Sequence, residues 1–257
     1  MVVPDLFSLK GKVALVTGAR RGIGAATAEL FAEAGADLVI CDIAVGTGEL
    51  NTVAQKIRAS GRRVLTLKAD ISQKTDVENL VKLAVDELGR IDILVNNAAV
   101  AKGGPLLETI LVDWDEVINT NLRGCYLCCQ AVAKHMVPRR TGHIINVASI
   151  EGMMAVRDHA SAYSISKAGI IELTRGLARE LSRAAIHVNG IAPGCLRTQM
   201  TPYAQRDPAR VRLLETRALK DRVGDPAEVA AVALFLATPA SIWVQGEIVV
   251  VDGGMLA

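Results

Sequence analysis

A chain of 257 residues can bury a large core, and 51% hydrophobic against 22% charged residues exclude a disordered chain and favour a big buried sheet. Its 29 basic and 27 acidic residues are spread along the chain for a net charge of +2, which leaves no track for a phosphate backbone and sets nucleic acid aside as a partner. No run approaches about 18 uninterrupted apolar residues, and the N-terminal MVVPDLFSLKGK has no charged stretch leading into a long apolar one, so the expectation is a cytoplasmic protein without a membrane partner.

The first β-branched run, 13–17, predicts a strand. It leads into Thr17-Gly18-Ala19-Arg20-Arg21-Gly22-Ile23-Gly24 and then into a helical pattern from Ala25. Glycines here let the backbone turn sharply and approach a pyrophosphate, whose charge would rest on the free N–H groups at the helix start. A second strand over 37–41 is closed by Asp42, and strand, glycine loop, helix, strand and acid together make a dinucleotide fingerprint. A P-loop is excluded because no Gly-Lys-Ser/Thr follows. Asp42 would accept hydrogen bonds from ribose hydroxyls and repel a 2'-phosphate, at about 4 kcal/mol per unit charge before screening, which predicts NAD. Arg20 and Arg21 pull toward NADP, kept as the second cofactor.

Further strands are predicted over 63–68, 91–95, 143–147, 186–191 and 247–251. Between the first two of these, apolar residues at i, i+3, i+4 spacing over 76–85 predict a helix with Ser72 as its cap and an end near Gly89. The five cysteines read as free thiols, and Cys125, Cys128 and Cys129 in one apolar helical run read as small buried hydrophobes, so no metal is expected. Tyr163 and Lys167 share a helix face at i and i+4. That pair is either an amphipathic edge or a phenol beside a cation that favours its phenolate. Strand–helix alternation repeated this often predicts an α/β fold over 1–257 as one domain: a doubly wound parallel seven-stranded sheet, Rossmann-like, with helices on both faces. Ligands in such sheets bind beyond the carboxyl ends of the strands.

The glycine loop 17–24, Asp70-Ile71, Asn96-Asn97-Ala98, Asn121 within Asn119-Thr120-Asn121-Leu122, Ser149, Tyr163 with Lys167, Pro193-Gly194 and Val251-Asp252-Gly253-Gly254 together resemble the short-chain dehydrogenase/reductase family across essentially the whole chain. The resemblance implies hydride transfer between a nicotinamide dinucleotide and a secondary alcohol or ketone, with Tyr163 as general acid/base. Lowering a tyrosine pKa by two to three units takes about 3 to 4 kcal/mol, which Lys167 and a nicotinamide cation would supply. Lys167 would also hold the nicotinamide ribose, Ser149 would donate to the substrate oxygen, and Asn121 would anchor a water leading from Lys167 to solvent. Cofactor-binding positions implied are Gly18, Arg21, Gly22, Ile23, Gly24, Asp42, Asp70, Ile71, Asn97, Ala98, Tyr163, Lys167, Pro193, Gly194, Leu196 and Thr198. Asp70 would meet the adenine amine, and the segment from Pro193 to Thr198 the carboxamide end.

Two departures stand out: Ala99 replaces the family's usual glycine, and the stretch from Ser149 to Tyr163 is slightly long. The segment 197–225, with Met200, Tyr203 and several arginines, is where substrate loops vary in this family. His159, read as one helical turn before Tyr163, borders the pocket with Met153, Met154 and Arg157 or is an exposed loop histidine. The substrate class is a small secondary alcohol, polyol, sugar acid or hydroxyacyl compound. An NADP-dependent 3-oxoacyl reductase is the alternative within the class, and a non-catalytic dinucleotide-binding sensor or scaffold the one outside it. The family also implies a homotetramer or homodimer, with Ile242-Trp243-Val244 and the closing Gly253-Gly254-Met255-Leu256-Ala257 apolar enough to serve.

Overall fold

The computed structural model describes residues 3–156, 158–199, 212 and 215–257. Met200, Tyr203 and Arg157 lie outside them. Seven parallel strands, β1 (Val13–Thr17), β2 (Asp37–Asp42), β3 (Val64–Lys68), β4 (Ile93–Asn96), β5 (Gly142–Val147), β6 (Ile186–Pro193) and β7 (Ile248–Val251), form one sheet in the order β3-β2-β1-β4-β5-β6-β7. Strand order reverses between β1 and β4, so a crevice opens beyond their carboxyl ends.

A short α1 (Val3–Leu6) precedes the sheet, and α2 (Gly22–Glu33), α3 (Glu49–Ala59), α4 (Lys74–Leu88), α5 (Leu111–Val117), α6 (Gly124–Met136), α7 (Ser161–Leu181) and α8 (Pro226–Leu236) follow. Alternate residues of one strand serve opposite cores. Val13 and Leu15 pack with α4, α6 and α7, whereas Ala14 and Val16 pack with α2, α3 and α8. The strand interiors are therefore mostly apolar on both sides, the pattern of a sheet covered on both faces.

β4 is assigned from Ile93, yet Asp92 just before it still bonds to both neighbouring strands, donating from its backbone N to Val13 O at 2.8 Å and accepting from His143 N at 2.9 Å, while its carboxylate accepts from Val13 N at 3.0 Å and from Arg90 Nε at 2.8 Å. Ser72 does not cap α4. Its hydroxyl donates to Asp70 Oδ1 at 2.7 Å, which holds it one residue outside the helix, and Gln73 takes the cap position. Gly89 ends α4 with φ 82°, in the left-handed region glycine tolerates. Cys125, Cys128 and Cys129 are buried in α6 as thiols, and burial pushes the Cys128 pKa well up. Among the described residues no helix is long and apolar enough to cross a membrane, and no group of three or more His, Cys, Asp or Glu side chains is arranged to hold a metal ion.

At the opposite end of the sheet from the crevice, His143 of β5 and His187 of β6 are register partners with rings stacked at 5.0 Å. His143 Nδ1 lies 3.0 Å from Leu236 O, so the shared proton sits on the ring. Burial first, then repulsion from His187 and Lys12, lowers the His143 pKa from 6.5 to about 4, against the opposite pull of Leu236 O and Asp92. An unfolded chain then takes up a proton below pH 6.5 that the folded one refuses until about pH 4. Stability should therefore fall on acidification through that window, by about 2 kcal/mol at pH 5 for this one group. Urea unfolding at pH 7 and pH 5 should show a smaller acid loss in His143→Gln than in wild type; equal losses would remove His143 as the cause.

Candidate functional site

Thr17 ends β1, and its hydroxyl accepts from Asn97 N and Ala98 N, both at 3.1 Å, just past β4. Asn97 answers by donating from Nδ2 to Thr17 O at 3.0 Å and Gly18 O at 2.9 Å. The two strands are thus stitched at the point where the sheet order reverses. Asn97 is a brace for the glycine loop, and Thr17 is a member that the sequence reading did not single out. Gly24 is required by that brace, since a Cβ on it would run into Gly18 O and lie 2.5 Å from Asn97 Nδ2. Gly22 has φ 59° and opens α2 with nothing nearer to its face than Thr198 at 3.6 Å. Ala99 does not enter the left-handed region, so the alanine fits where the family usually has glycine.

One cavity of about 580 Å³ runs from this loop toward β2 and β3. Its walls bring together Gly18, Arg21, Gly22, Ile23, Asp42, Asp70, Ile71, Asn97, Ala98 and Thr198 of the predicted positions. Asp42, last residue of β2, accepts from Ala44 N at 3.0 Å and lies 3.5 Å from Arg20 Nε. Arg20 also pairs with Glu49 at the start of α3, and the hydrogen bond from Arg20 holds the Glu49 carboxyl below its usual pKa. Arg21 donates to Gln199 Oε1. Asp70 Oδ1 accepts from Ser72 N and Oγ. Glu49 and Gln199 were not legible as site residues, because nothing local links them to the arginines they engage.

A second cavity of about 630 Å³ shares Ile23, Asn97, Ala99 and Thr198 with the first, so the two are one cleft. Ser149, Tyr163, Lys167, Pro193, Gly194 and Leu196 line it. Ser149 caps the short turn Ile150–Gly152, its Oγ accepting from Glu151 N at 3.2 Å. That turn absorbs the long spacing to Tyr163 by packing on α7: a Cβ on Gly152 would lie 2.6 Å from the Lys167 backbone. Tyr163 and Lys167 share a face of α7, with Nζ 5.5 Å from the phenol ring centre. Lys167 is 2% exposed, donates to Val147 O at 2.7 Å, and is pushed down to about 8 by burial.

Gly24 and Asn121 line neither cavity. Asn121 sits buried in a π-helical turn, Ile118–Arg123, a distortion that recurs beside functional sites. Its side chain accepts from Val100 N at 2.8 Å and donates to Val100 O at 2.9 Å and Ser166 Oγ at 3.0 Å; Ser166 in turn donates to Tyr163 O at 2.7 Å. Asn121 thereby ties the loop after β4 to the start of α7. His159 is not on the helix of Tyr163. It stands before the first residue, Ser161, with φ 61°, yet it lines the second cavity. Arg217 and Met255 line it as well, brought in by parts of the chain that carry no local signal.

The cleft suits a dinucleotide. The first turn of α2 faces it without a side chain at Gly22, an acid stands at the β2 end, and the buried Arg20 Nε has no hydrogen-bond partner among the described residues. Comparison with known proteins agrees. The family model described as enoyl-(acyl carrier protein) reductase matches residues 18–256. The chain is 40% identical over 250 residues to a 3-oxoacyl-[acyl-carrier-protein] reductase of Synechocystis sp., covering 97% of this chain and 98% of that one. It is 38% identical over 252 residues to a 5-keto-D-gluconate 5-reductase of Escherichia coli strain K12, covering 98% of each. A solved gluconate 5-dehydrogenase from Burkholderia cenocepacia J2315, in complex with NADP and tartrate, superposes with a TM-score of 0.93 at 34% identity over 99% of both chains. With its fold, its cleft and these likenesses taken together, the chain belongs to the short-chain dehydrogenase/reductase family of NAD(P)-dependent oxidoreductases.

Proposed function

We propose that residues 1–257 form one dinucleotide-binding and catalytic unit that moves a hydride between NAD and a secondary alcohol or its ketone. The observation that carries this reading is the grouping of Ser149, Tyr163 and the buried Lys167 on the wall of one cavity, continuous with the dinucleotide cleft. When bound, the nicotinamide ring supplies the hydride acceptor or donor. Tyr163 exchanges a proton with the substrate oxygen through its hydroxyl. Lys167, held by Val147 O in a desolvated position, puts a positive charge beside the ring and favours the phenolate. Ser149 donates to the substrate oxygen as charge gathers there. Asn121 keeps this end of α7 in place through Ser166.

Asp42 supports NAD, because its carboxylate stands at the β2 end of the cleft and its partner Arg20 is also engaged by Glu49. The second reading, NADP with a 3-oxoacyl substrate, draws on Arg20 and Arg21 lining the same cavity and on the NADP held by the Burkholderia relative. Initial rates with each cofactor separate the two. Wild type should favour NAD in kcat/KM, and Asp42→Ala should shift the ratio toward NADP by about 10- to 100-fold as the like charge is removed. A wild-type preference for NADP would replace the first reading with the second. A homodimer or homotetramer is part of the proposal, supported by the apolar Ile242 and Trp243, which are 63% and 97% exposed. Light scattering reads the mass.

A further inference from the structure

We infer that Arg217 selects substrates carrying a carboxylate, an assignment that rests on the oxidoreductase reading above and names its substrate class. Among the described residues, seven ionisable side chains besides the phenol border the reaction cavity: Lys102, Glu151, Asp158, His159, Lys167, Cys195 and Arg217. Lys167 is buried against Val147 O. Lys102 gives its ammonium to Asp113 at 2.9 Å and Glu116 at 2.7 Å, and both bonds raise its pKa. Arg217 forms no ion pair among the described residues. Its one hydrogen bond among the described residues is a long one, from Nη1 to Val156 O at 3.4 Å. Among the described residues no carboxylate pairs with it, and unlike Lys167 its charge is not tucked against a buried carbonyl.

Its backbone is held in place. Ala218 beside it is buried, and the C-terminal tail packs over this stretch so closely that a Cβ on Gly254 would lie 2.8 Å from Leu219 Cδ1. Asp252 pins that tail by accepting from Gly254 N at 2.8 Å and Leu256 N at 2.9 Å. The same Asp252 abuts Gly194, where a Cβ would come within 2.6 Å of it. The stretch that carries Arg217 is therefore packed, through Leu219, the tail and Asp252, against the Pro193–Gly194 wall. A guanidinium offers a planar fork that takes a carboxylate by two parallel hydrogen bonds. Glu151 and Asp158 add acceptors suited to hydroxyl groups on the same molecule. A short hydroxy or keto acid meets all of these, whereas a neutral ketone leaves Arg217 unused.

The test is steady-state kinetics, with the preferred dinucleotide, on four- to six-carbon keto acids, their primary amides, and neutral 3-oxoacyl N-acetylcysteamine thioesters. Wild type should favour acid over amide, and R217Q should lower kcat/KM for the acid by about 10- to 100-fold more than for the amide, through KM rather than kcat. R217K should recover part of the preference. Calorimetric titration of the keto acid into dinucleotide-loaded protein should show the same weakening in R217Q. The inference is overturned if amides or thioesters match the acids in wild type, or if R217Q lowers acid and amide equally. Turnover of none of these compounds by protein that binds dinucleotide would instead overturn the oxidoreductase reading, and this inference with it.

Discussion

Tyr163→Phe is expected to lower kcat by about 10²- to 10⁴-fold, the range for loss of a positioned proton donor, while dinucleotide affinity stays near that of wild type. Phenylalanine keeps the ring, and the ring is what packs with Val117, Ala162 and the partly buried Val100 and Trp114. Only the hydroxyl is removed, so fold and cleft should survive. Lys167 remains over the ring face, yet its charge no longer has a phenolate to stabilise. Steady-state rates paired with calorimetric titration of the dinucleotide would read both quantities. Turnover at the wild-type level would remove Tyr163 from the proton step. Tight binding with no turnover in either protein would favour the sensor or scaffold reading.

Gly24→Ala should weaken dinucleotide binding by about 10²-fold and cost about 1 to 3 kcal/mol of stability, the effects of misplacing a binding group and of overpacking a tight site. The added methyl has no room, because Gly18 O and Asn97 Nδ2 already face each other across that point. Either the loop lifts or the brace to β4 breaks, and both move the N–H groups at the head of α2. Gly176→Ala in α7 is the control. Nothing lies within 4 Å of a Cβ there, so the change should stabilise by up to about 1 kcal/mol through helix propensity alone. Dinucleotide titration and urea unfolding of both variants would decide. Wild-type affinity in Gly24→Ala would mean that the loop does not present the pyrophosphate site.

Local patterns carried much of this molecule. β-Branched runs marked the strands within a few residues, because a sheet buried on both faces needs apolar side chains on both sides of most strands. The glycine loop and Asp42 were legible because backbone conformation and strand ends are local properties, as was the Tyr163–Lys167 face of α7. Strand alternation implied parallel neighbours, but the reversal between β1 and β4 that places the cleft is a property of the assembled sheet.

What only the tertiary structure decided were partners far apart in the chain. Arg20 meets Glu49, Lys167 finds Val147 O, Asn121 ties Val100 to Ser166, and the Asp92 carboxylate accepts from Val13 N. Ser72 turned back to Asp70 instead of capping, since a carboxylate two residues away is a strong acceptor at close range. His159 left the helix register and Arg217 entered the reaction cavity, each through loops and a tail packed against distant backbone. Periodicity determines which face of an element is buried. Which polar atom answers another across that interface depends on how the crossovers bring the elements together, and no short stretch of sequence contains that.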